Sequence, residues 1–549
     1  MRVPMKTSLI ALTALLAASP ATADTLVDHA NIVQVGADGK LQHFTGVLIG
    51  DDGRVKRLLR GEKVKLANTT VVDAGGRTML PGLIDAHGHV MGLGFAALQL
   101  DLTGSKSLAE LQQRLAVYAR ANPGKGWIRG GGWNQEMWAD KKFPTAADLD
   151  SVVSDRPVWL DRVDGHAAVG NKAALAAAGI TAATPSPADG RIENGLFVDR
   201  AMGLVESKIP APSDAMLDAA LAKAQQAMLS NGLTGAADMG TDADGWAAMN
   251  RAGVAGMLKV RIMSYASGIP GMKAINGGKP SGWLYDGRLR VAGVKLYADG
   301  ALGSRGAWLK APYSDKPETR GLRFMTDAEM LAKANEAAAN GYQVATHAIG
   351  DAANAQVIGT YEQLTKRFGA ARRWRIEHLQ IADPADLKRL KPAGIIASMQ
   401  PTHQTSDRTM AEARLGAARL KGAYAWRTIE KLGVRLAFGS DFPVESPNLF
   451  PGLSAAISRQ DPSGNPPGGW RPEERVSFAT ALGGFTRGAA YAGFAEQQIG
   501  SLDPGHYADF IIVDRDVEKV DQKALAATKV LETWVAGKKM FSADAPPAR

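Results

Sequence analysis

From residue 81 onward the chain alternates short apolar, β-branched runs with Ala-rich stretches, and eight such runs can be counted. They are LIDAHGHV (83–90), LTGAADMG (233–240), VRIMSYAS (260–267), VAGVKLYADG (291–300), YQVATHAIG (342–350), RWRIEHLQ (373–380), GIIASMQPT (394–402) and RLAFGSDFPV (435–444). Helical patterns lie between most of them, among them TDAEMLAKANEAAAN (326–340) and PADLKRLKPA (384–393). Strand followed by helix, at this count, predicts an α/β fold with a (β/α)8 TIM-like barrel over residues 81–497. The first two runs are separated by far more than one helix. Residues 101–232 are therefore expected to hold an insertion, with GWIRGGGWN (126–134) and PVWLDRVDGHAAVGN (157–171) inside it.

Both ends read differently. Residues 24–80 contain TGVLIG and KLANTTVVDA, punctuated by GADGK and GDDGR, and Asp-Gly between apolar residues is a hairpin signal. Residues 498–541 repeat the pattern with QIGSLDPGHYADFIIVD and VLETWVAGKKMF. The two ends are thus expected to be β-rich, and the tail 542–549, SADAPPAR, to be disordered. Residues 1–23 begin with Arg2 and Lys6, continue with an apolar run from Leu9 to Ala18 and finish in Ala21-Thr22-Ala23. That is the pattern of a secretory signal peptide cleaved after Ala23, which would place the mature protein in the periplasm or outside the cell. The run is shorter than the ~20 apolar residues needed to span a bilayer, so no stable membrane anchor is expected.

A hydrophobic fraction of 45% and a charged fraction of 22% are those of a folded globular chain and disfavour disorder and coiled coil. The net charge is +9, but the basic residues are scattered, and the densest cluster, KRLLRGEKVK (56–65), reads as a solvated hairpin. Without a basic stripe interleaved with aromatics, nucleic-acid binding is not expected. The expected partner is a small-molecule substrate, and self-association into a homo-oligomer stays open. Cysteine is absent, so any metal site has to be built from histidines and carboxylates.

The first run ends in His87 and His89. In a strand, residues i and i+2 point to the same side, so His-x-His at a strand end can offer two imidazoles to one point, with Gly88 adding no bulk between them. Taken alone, such a pair is more often two partly exposed turn histidines than a metal site. His347 and His378 sit near the ends of the fifth and sixth runs, Asp441 near the end of the eighth, and Lys295 within the apolar fourth. A single buried histidine is more often a hydrogen-bonded core residue, and a lone buried lysine is costly. Yet the C-terminal ends of barrel strands share one mouth, where barrel enzymes carry their sites. Imidazoles and a carboxylate gathered there suit Zn2+, Mn2+, Ni2+ or Fe2+.

In this order and on these runs, His-x-His, Lys, His, His and Asp resemble the binuclear metal-dependent amidohydrolase superfamily. The phrases DAHGHV, KLYADGALGSRGA, THAIGD, RIEHLQ, QPTH and GSDFPVE resemble its N-substituted formamide deformylase-like branch (amidohydrolase 3). The resemblance implies that the two β-rich ends, 24–80 and 498–541, join in a small β-sandwich beside the barrel. It implies two divalent metal ions, with Zn2+ the leading candidate: His87 and His89 on the more buried ion, His347 and His378 on the second. It implies further that Lys295 is carbamylated and bridges them, and that Asp441 ligates the first. The chemistry to expect is attack of a metal-bridging hydroxide on a substrate carbonyl, with Asp441 as general base and then acid.

Four further residues are candidates for touching substrate. His166 and His403 are weighed against structural hydrogen bonding, Arg305 against a salt bridge to a nearby loop acid, and Trp133, after three glycines, against simple packing. His29, His43 and His506 fall in the β-rich ends and are not expected to be catalytic. The function expected is hydrolysis of a non-peptide carbon–nitrogen bond of the amide type. An esterase or lactonase, a small dipeptidase, or a non-catalytic binding protein on a retired barrel are the alternatives.

Overall fold

A computed structural model describes residues 23–62 and 68–544. The signal-peptide expectation for residues 1–22 and the end of the tail, 545–549, lie outside the described residues; Ser542 still belongs to a strand, Lys538–Ser542.

All eight runs form strands: β1 (Leu83–Gly88), β2 (Leu233–Thr241), β3 (Arg261–Ser267), β4 (Leu289–Tyr297), β5 (Gln343–Ala348), β6 (Arg375–His378), β7 (Ile396–Met399) and β8 (Leu436–Phe438). They lie side by side in sequence order in one eight-stranded parallel sheet that nearly closes, a TIM-like barrel. Pairing places Tyr297 opposite His347 and Ala348 opposite His378, so the ends of β4, β5 and β6 stand level. The helix predicted over 326–340 is found as Asp327–Ala339, started by a capping box between Thr326 and Glu329. The helix expected over 384–393 is only Pro384–Leu387.

The eighth run, expected to extend to residue 444, leaves the sheet at Phe438. Its continuation bends back over β1 through two backbone bonds, Asp441 N to His87 O at 2.7 Å and His89 N to Phe442 O at 2.8 Å. Gly439 permits this approach, since a Cβ there would lie 2.4 Å from Asp85 Oδ1 and 2.6 Å from His87 N. Gly88 does the same opposite Phe442, whose ring would be 2.4 Å from an added Cβ. The barrel is thus joined beyond β8 by residues that also belong to the candidate site.

The insertion builds its own six-stranded sheet, in the spatial order Gly190–Glu193, Leu196–Asp199, Ala167–Gly170, Val158–Arg162, Ile128–Trp133, Leu100–Asp101. Its last strand in chain order ends at Asp199, within the span 101–232 expected to hold the insertion. The helix Asp214–Ser230 buries Leu217, Leu221 and Met228 in the barrel's apolar core and leads directly into β2. The chain's ends meet in a second six-stranded sheet, where Thr78–Pro81 pairs antiparallel with Phe510–Val513. A four-stranded sheet containing Asp24–Asp28 shares an apolar cluster with it, through Val27, Val47 and Ile49 on one side and Met79, Phe510 and Trp534 on the other.

Candidate metal centre

The barrel mouth gathers the histidines singled out in the sequence. Nitrogen or oxygen atoms of His87, His378 and Asp441 all lie within 4.8 Å of one another. His89 Nε2 is 3.1 Å from Asp441 Oδ1, and His87 Nε2 is 3.4 Å from the same oxygen. The His347 ring lies 4.5 Å from that of His378, and Lys295 Nζ is 3.3 Å from His87 Nε2. His378 follows Glu377 directly. In a regular strand consecutive side chains diverge, but the left-handed backbone at His378 (φ 73°) lets both residues approach His87. Asp441 (φ 65°) is turned in the same way.

Beneath this cluster lies a layer that sequence reasoning missed. The carboxylate of Glu377 accepts from His87 Nδ1 at 2.7 Å and pairs with Arg375 at 2.7 Å, all three residues being fully buried. Arg375 also donates to Ala86 O, Ser398 Oγ and Tyr265 Oη. Asp85 accepts from Ser440 N and Oγ and from His87 N. Gln400 Oε1 lies 2.9 Å from His378 Nδ1. The available signal was charge at alternate positions of a four-residue strand buried throughout, Arg375 and Glu377 in RIEH.

A carboxylate can only accept, so His87 carries its proton on Nδ1 and turns the lone pair of Nε2 toward Asp441. Burial, reinforced by Lys295, lowers the His87 pKa to about 4, which keeps the ring neutral. Burial also opposes a charged Asp441, but His87, His89 and His403 outweigh it and hold its pKa well below the usual carboxylate range. Two acceptors therefore face one another at 3.4 Å, and His347 Nε2 is buried with no hydrogen-bond partner among the described residues. Such a donor set fits a divalent cation. Burial lowers the Lys295 pKa to about 8 against the pull of Glu377 and Asp441, so a neutral amine is accessible. Glu377→Ala is expected to weaken metal affinity 10–100-fold by freeing the His87 ring. It should also cost about 3–5 kcal/mol of stability by stranding Arg375. Metal titration and denaturation of the metal-free protein measure the two effects separately; an unchanged metal affinity would mean that His87 does not depend on Glu377.

The remaining candidates divide. His403 Nε2 is 3.7 Å from Asp441 Oδ2 and its ring stacks on His378. His166 comes from the insertion, with its ring 5.1 Å from that of His347. Arg305 is instead paired with Asp315 at 2.9 Å, the salt bridge weighed for it. Trp133 is a correction. It ends a strand in the insertion core, fully buried, with its indole N–H bonded to Leu160 O at 2.8 Å. The glycines before it do not make a flexible loop: a Cβ on Gly130 would lie 2.6 Å from Leu100, so Gly130 lets the neighbouring strand approach. His29, His43 and His506 lie 3.3 Å from Asp73, 2.7 Å from Glu518 and 3.0 Å from Ser501, in the sheets of the chain ends and the loop beside them.

A barrel with histidines and a carboxylate converging at the C-terminal mouth is the architecture of a metal-dependent hydrolase. Residues 70–541 match the model of the amidohydrolase family, and the chain belongs to that family. It is 34% identical over 498 residues to Protein LONG AFTER FAR-RED 3 of Arabidopsis thaliana, covering 86% of this chain and 84% of that one. It is 27% identical over 543 residues to the N-substituted formamide deformylase of Arthrobacter pascens, covering 94% and 97%. A solved metal-dependent hydrolase from Pyrococcus horikoshii superposes with a TM-score of 0.74 at 27% identity, over 91% of this chain and 99% of that one.

Proposed function

We propose that this protein hydrolyses a non-peptide carbon–nitrogen bond of the amide type, with N-substituted formamides as the first substrates to test. The observation that carries the reading is the convergence of His87, His378 and Asp441 within 4.8 Å, with His87 oriented from behind by Glu377. The resemblance to the formamide deformylase supplies the substrate class. His87 and His89 would hold one divalent ion and His347 and His378 a second, zinc being the first candidate, with a carbamate on Lys295 between them and Asp441 on the first. The bound ions would supply Lewis acidity toward the carbonyl and lower the pKa of water. Asp441, held as a carboxylate, accepts a proton from the attacking water and returns it to the leaving nitrogen. The C–N bond breaks, and amide and water become acid and amine. His403, beside Asp441, and His166, beside His347, line the approach and contact substrate.

The test is elemental analysis of zinc-loaded protein together with an assay panel of an N-substituted formamide, an ester and a dipeptide. The expected result is close to two metals per chain and a clear preference for the formamide, abolished by chelation. Full turnover by metal-free protein, or preference for the ester or dipeptide, would refute the reading. All the groups named come from one chain, so self-association is not needed to build the site.

We also propose that the two chain ends form a small β-sandwich domain, supported by their shared apolar cluster. Export with cleavage after Ala23 is proposed on the N-terminal pattern; no helix among the described residues is long and apolar enough to cross a membrane. N-terminal sequencing of periplasmic protein should begin at Asp24, and an intact Met1 would contradict export.

A further inference from the structure

The insertion is a separate body resting on the barrel. Its apolar side chains gather in two clusters of their own, one around Trp133, Trp138 and Leu160 and one around Trp159, Phe197 and Val205. None from residues 100–206 belongs to the large apolar cluster of the barrel. A Cβ on Gly300 or Gly306 would fall 2.6 or 2.5 Å from the Asp199 carboxylate, and one on Gly303 2.9 Å from the Arg162 guanidinium. These glycines of the loop after β4 are the seat on which the insertion rests. Beside that seat lies a chain of buried polar groups that the proposed mechanism does not use. Arg414, on the helix Pro401–Leu415 after β7, donates Nη2 to Glu136 Oε1 at 2.5 Å and Nη1 to Asp315. Gln135, fully buried, donates to the same Glu136 oxygen at 3.1 Å and accepts from Arg162 Nε at 2.8 Å. Arg162 donates to Asp164, and Asp164 accepts the backbone N–H of His166 at 3.1 Å. Polar groups thus run without a break from a barrel helix to the loop that carries His166.

The Glu136 and Arg414 side chains are 7% and 5% exposed. Their attraction roughly offsets the cost of taking both charges out of water, so the pair adds little net stability, but separating it strands a buried charge. Such a pair fixes a position better than it strengthens a fold. A body with its own core, joined through a polar interface, moves relative to its neighbour unless something holds it. We infer that Glu136 and Arg414 form a latch that holds the insertion as a roof over the barrel mouth, with Gln135, Arg162 and Asp164 passing its position to the loop 162–166. All five are positioning residues and act through where they place His166. The effect on turnover rests on the hydrolase reading above; the latch itself does not.

The chain has no cysteine, so two can be introduced cleanly for spin labels. Val117, 52% exposed on the insertion, and Val254, 79% exposed on a barrel helix, are suitable sites. Val117→Cys/Val254→Cys should give one narrow distance distribution. Adding Glu136→Ala should broaden it toward longer distances, whereas Glu136→Gln, which still accepts from Arg414, should keep it mostly narrow. Arg414→Lys keeps the charge but cannot fork between Glu136 and Asp315. It should broaden the distribution too, and it decides the matter if Glu136→Ala does not fold. In Glu136→Ala, amide exchange should quicken about tenfold at residues 163–166 while residues 158–160 keep their protection. At full metal content, kcat/KM for N-benzylformamide should fall about tenfold or more, the scale of a misplaced contact. In a His166→Ala background the same substitution should cost less than about twofold. Distances unchanged in both Glu136→Ala and Arg414→Lys would overturn the latch. Protection lost throughout the insertion's strands would do so as well, since it marks a plain packing role. A full kinetic effect in the His166→Ala background would overturn the link to the loop. If the metal-loaded wild type turns over no amide, the hydrolase reading fails, and the distances and exchange still decide the latch.

Discussion

Lys295→Ala is expected, on the proposed two-metal reading, to lose one ion and with it nearly all activity. The expectation follows from where the amine stands. Nζ is buried and 3.3 Å from His87 Nε2. Two dications sharing that space need anions to offset their repulsion, and Asp441 supplies one carboxylate. A carbamate formed on the neutral amine would supply the other, and the lowered Lys295 pKa of about 8 makes that amine available. Formate or acetate, small enough to enter the vacated position, should restore part of both metal and activity. Lys295→Arg should not work, because a guanidinium stays charged and takes up no CO2. Under the opposing view, in which Lys295 is a plain cation that binds substrate, Lys295→Arg would retain both metals, and bicarbonate during metal loading would make no difference. Two metals per chain in Lys295→Ala would decide against the carbamate.

Asp441→Asn should lower kcat by about 10²–10⁴-fold, the range spanned by a lost general base or acid. This variant separates chemistry from folding. Asp441 occupies the left-handed region (φ 65°), which asparagine tolerates about as well as aspartate, and its backbone N–H bond to His87 O does not involve the side chain. The fold should therefore survive while the proton acceptor is gone. Metal content has to be measured first, so that a lost ion is not mistaken for a lost base. A variant that keeps two metals and remains within tenfold of wild type would show that another group handles the proton. His403, with Nε2 3.7 Å from Asp441 Oδ2, would then be the residue to replace next.

Most of the barrel strands were legible because they carry apolar runs bounded by turn signals, and because the count and alternation admit few folds. His87, His89, Lys295, His347, His378 and Asp441 stood out as polar residues at the ends of such runs or within them. The residues behind them did not. Glu377 and Arg375 are adjacent to or near a ligand candidate in the sequence, but whether a charge is buried against a histidine 290 positions away is set by tertiary closure alone. Trp133 misled because three glycines suggest mobility, whereas here Gly130 lets Leu100 lie close against the strand and Gly132 does the same for Thr103. The partner of Arg305 and the packing face of the helix Asp214–Ser230 were not legible for the same reason: each depends on which neighbour the fold brings. The spacing of Gly300, Gly303 and Gly306 was visible in the sequence, but it had no meaning until the insertion was seen resting on it.

The way the barrel is joined ties its chemistry to its mechanics. The backbone bonds that link β1 to the end of β8 belong to His87, His89, Asp441 and Phe442, three of which are ligand candidates. An ion held between those side chains would act as a clasp on the seam where the first and last strands of the barrel meet. Occupancy and rigidity would then be one equilibrium. An ion present at a hundred times its dissociation constant adds about 2.7 kcal/mol to the closed form, and its removal should loosen amide protection first around residues 87–89 and 439–442. The reverse also holds. Any change that eases β8 away from β1, however far from the mouth, is felt as weaker metal retention, so the protein's tolerance of heat and its hold on metal should rise and fall together.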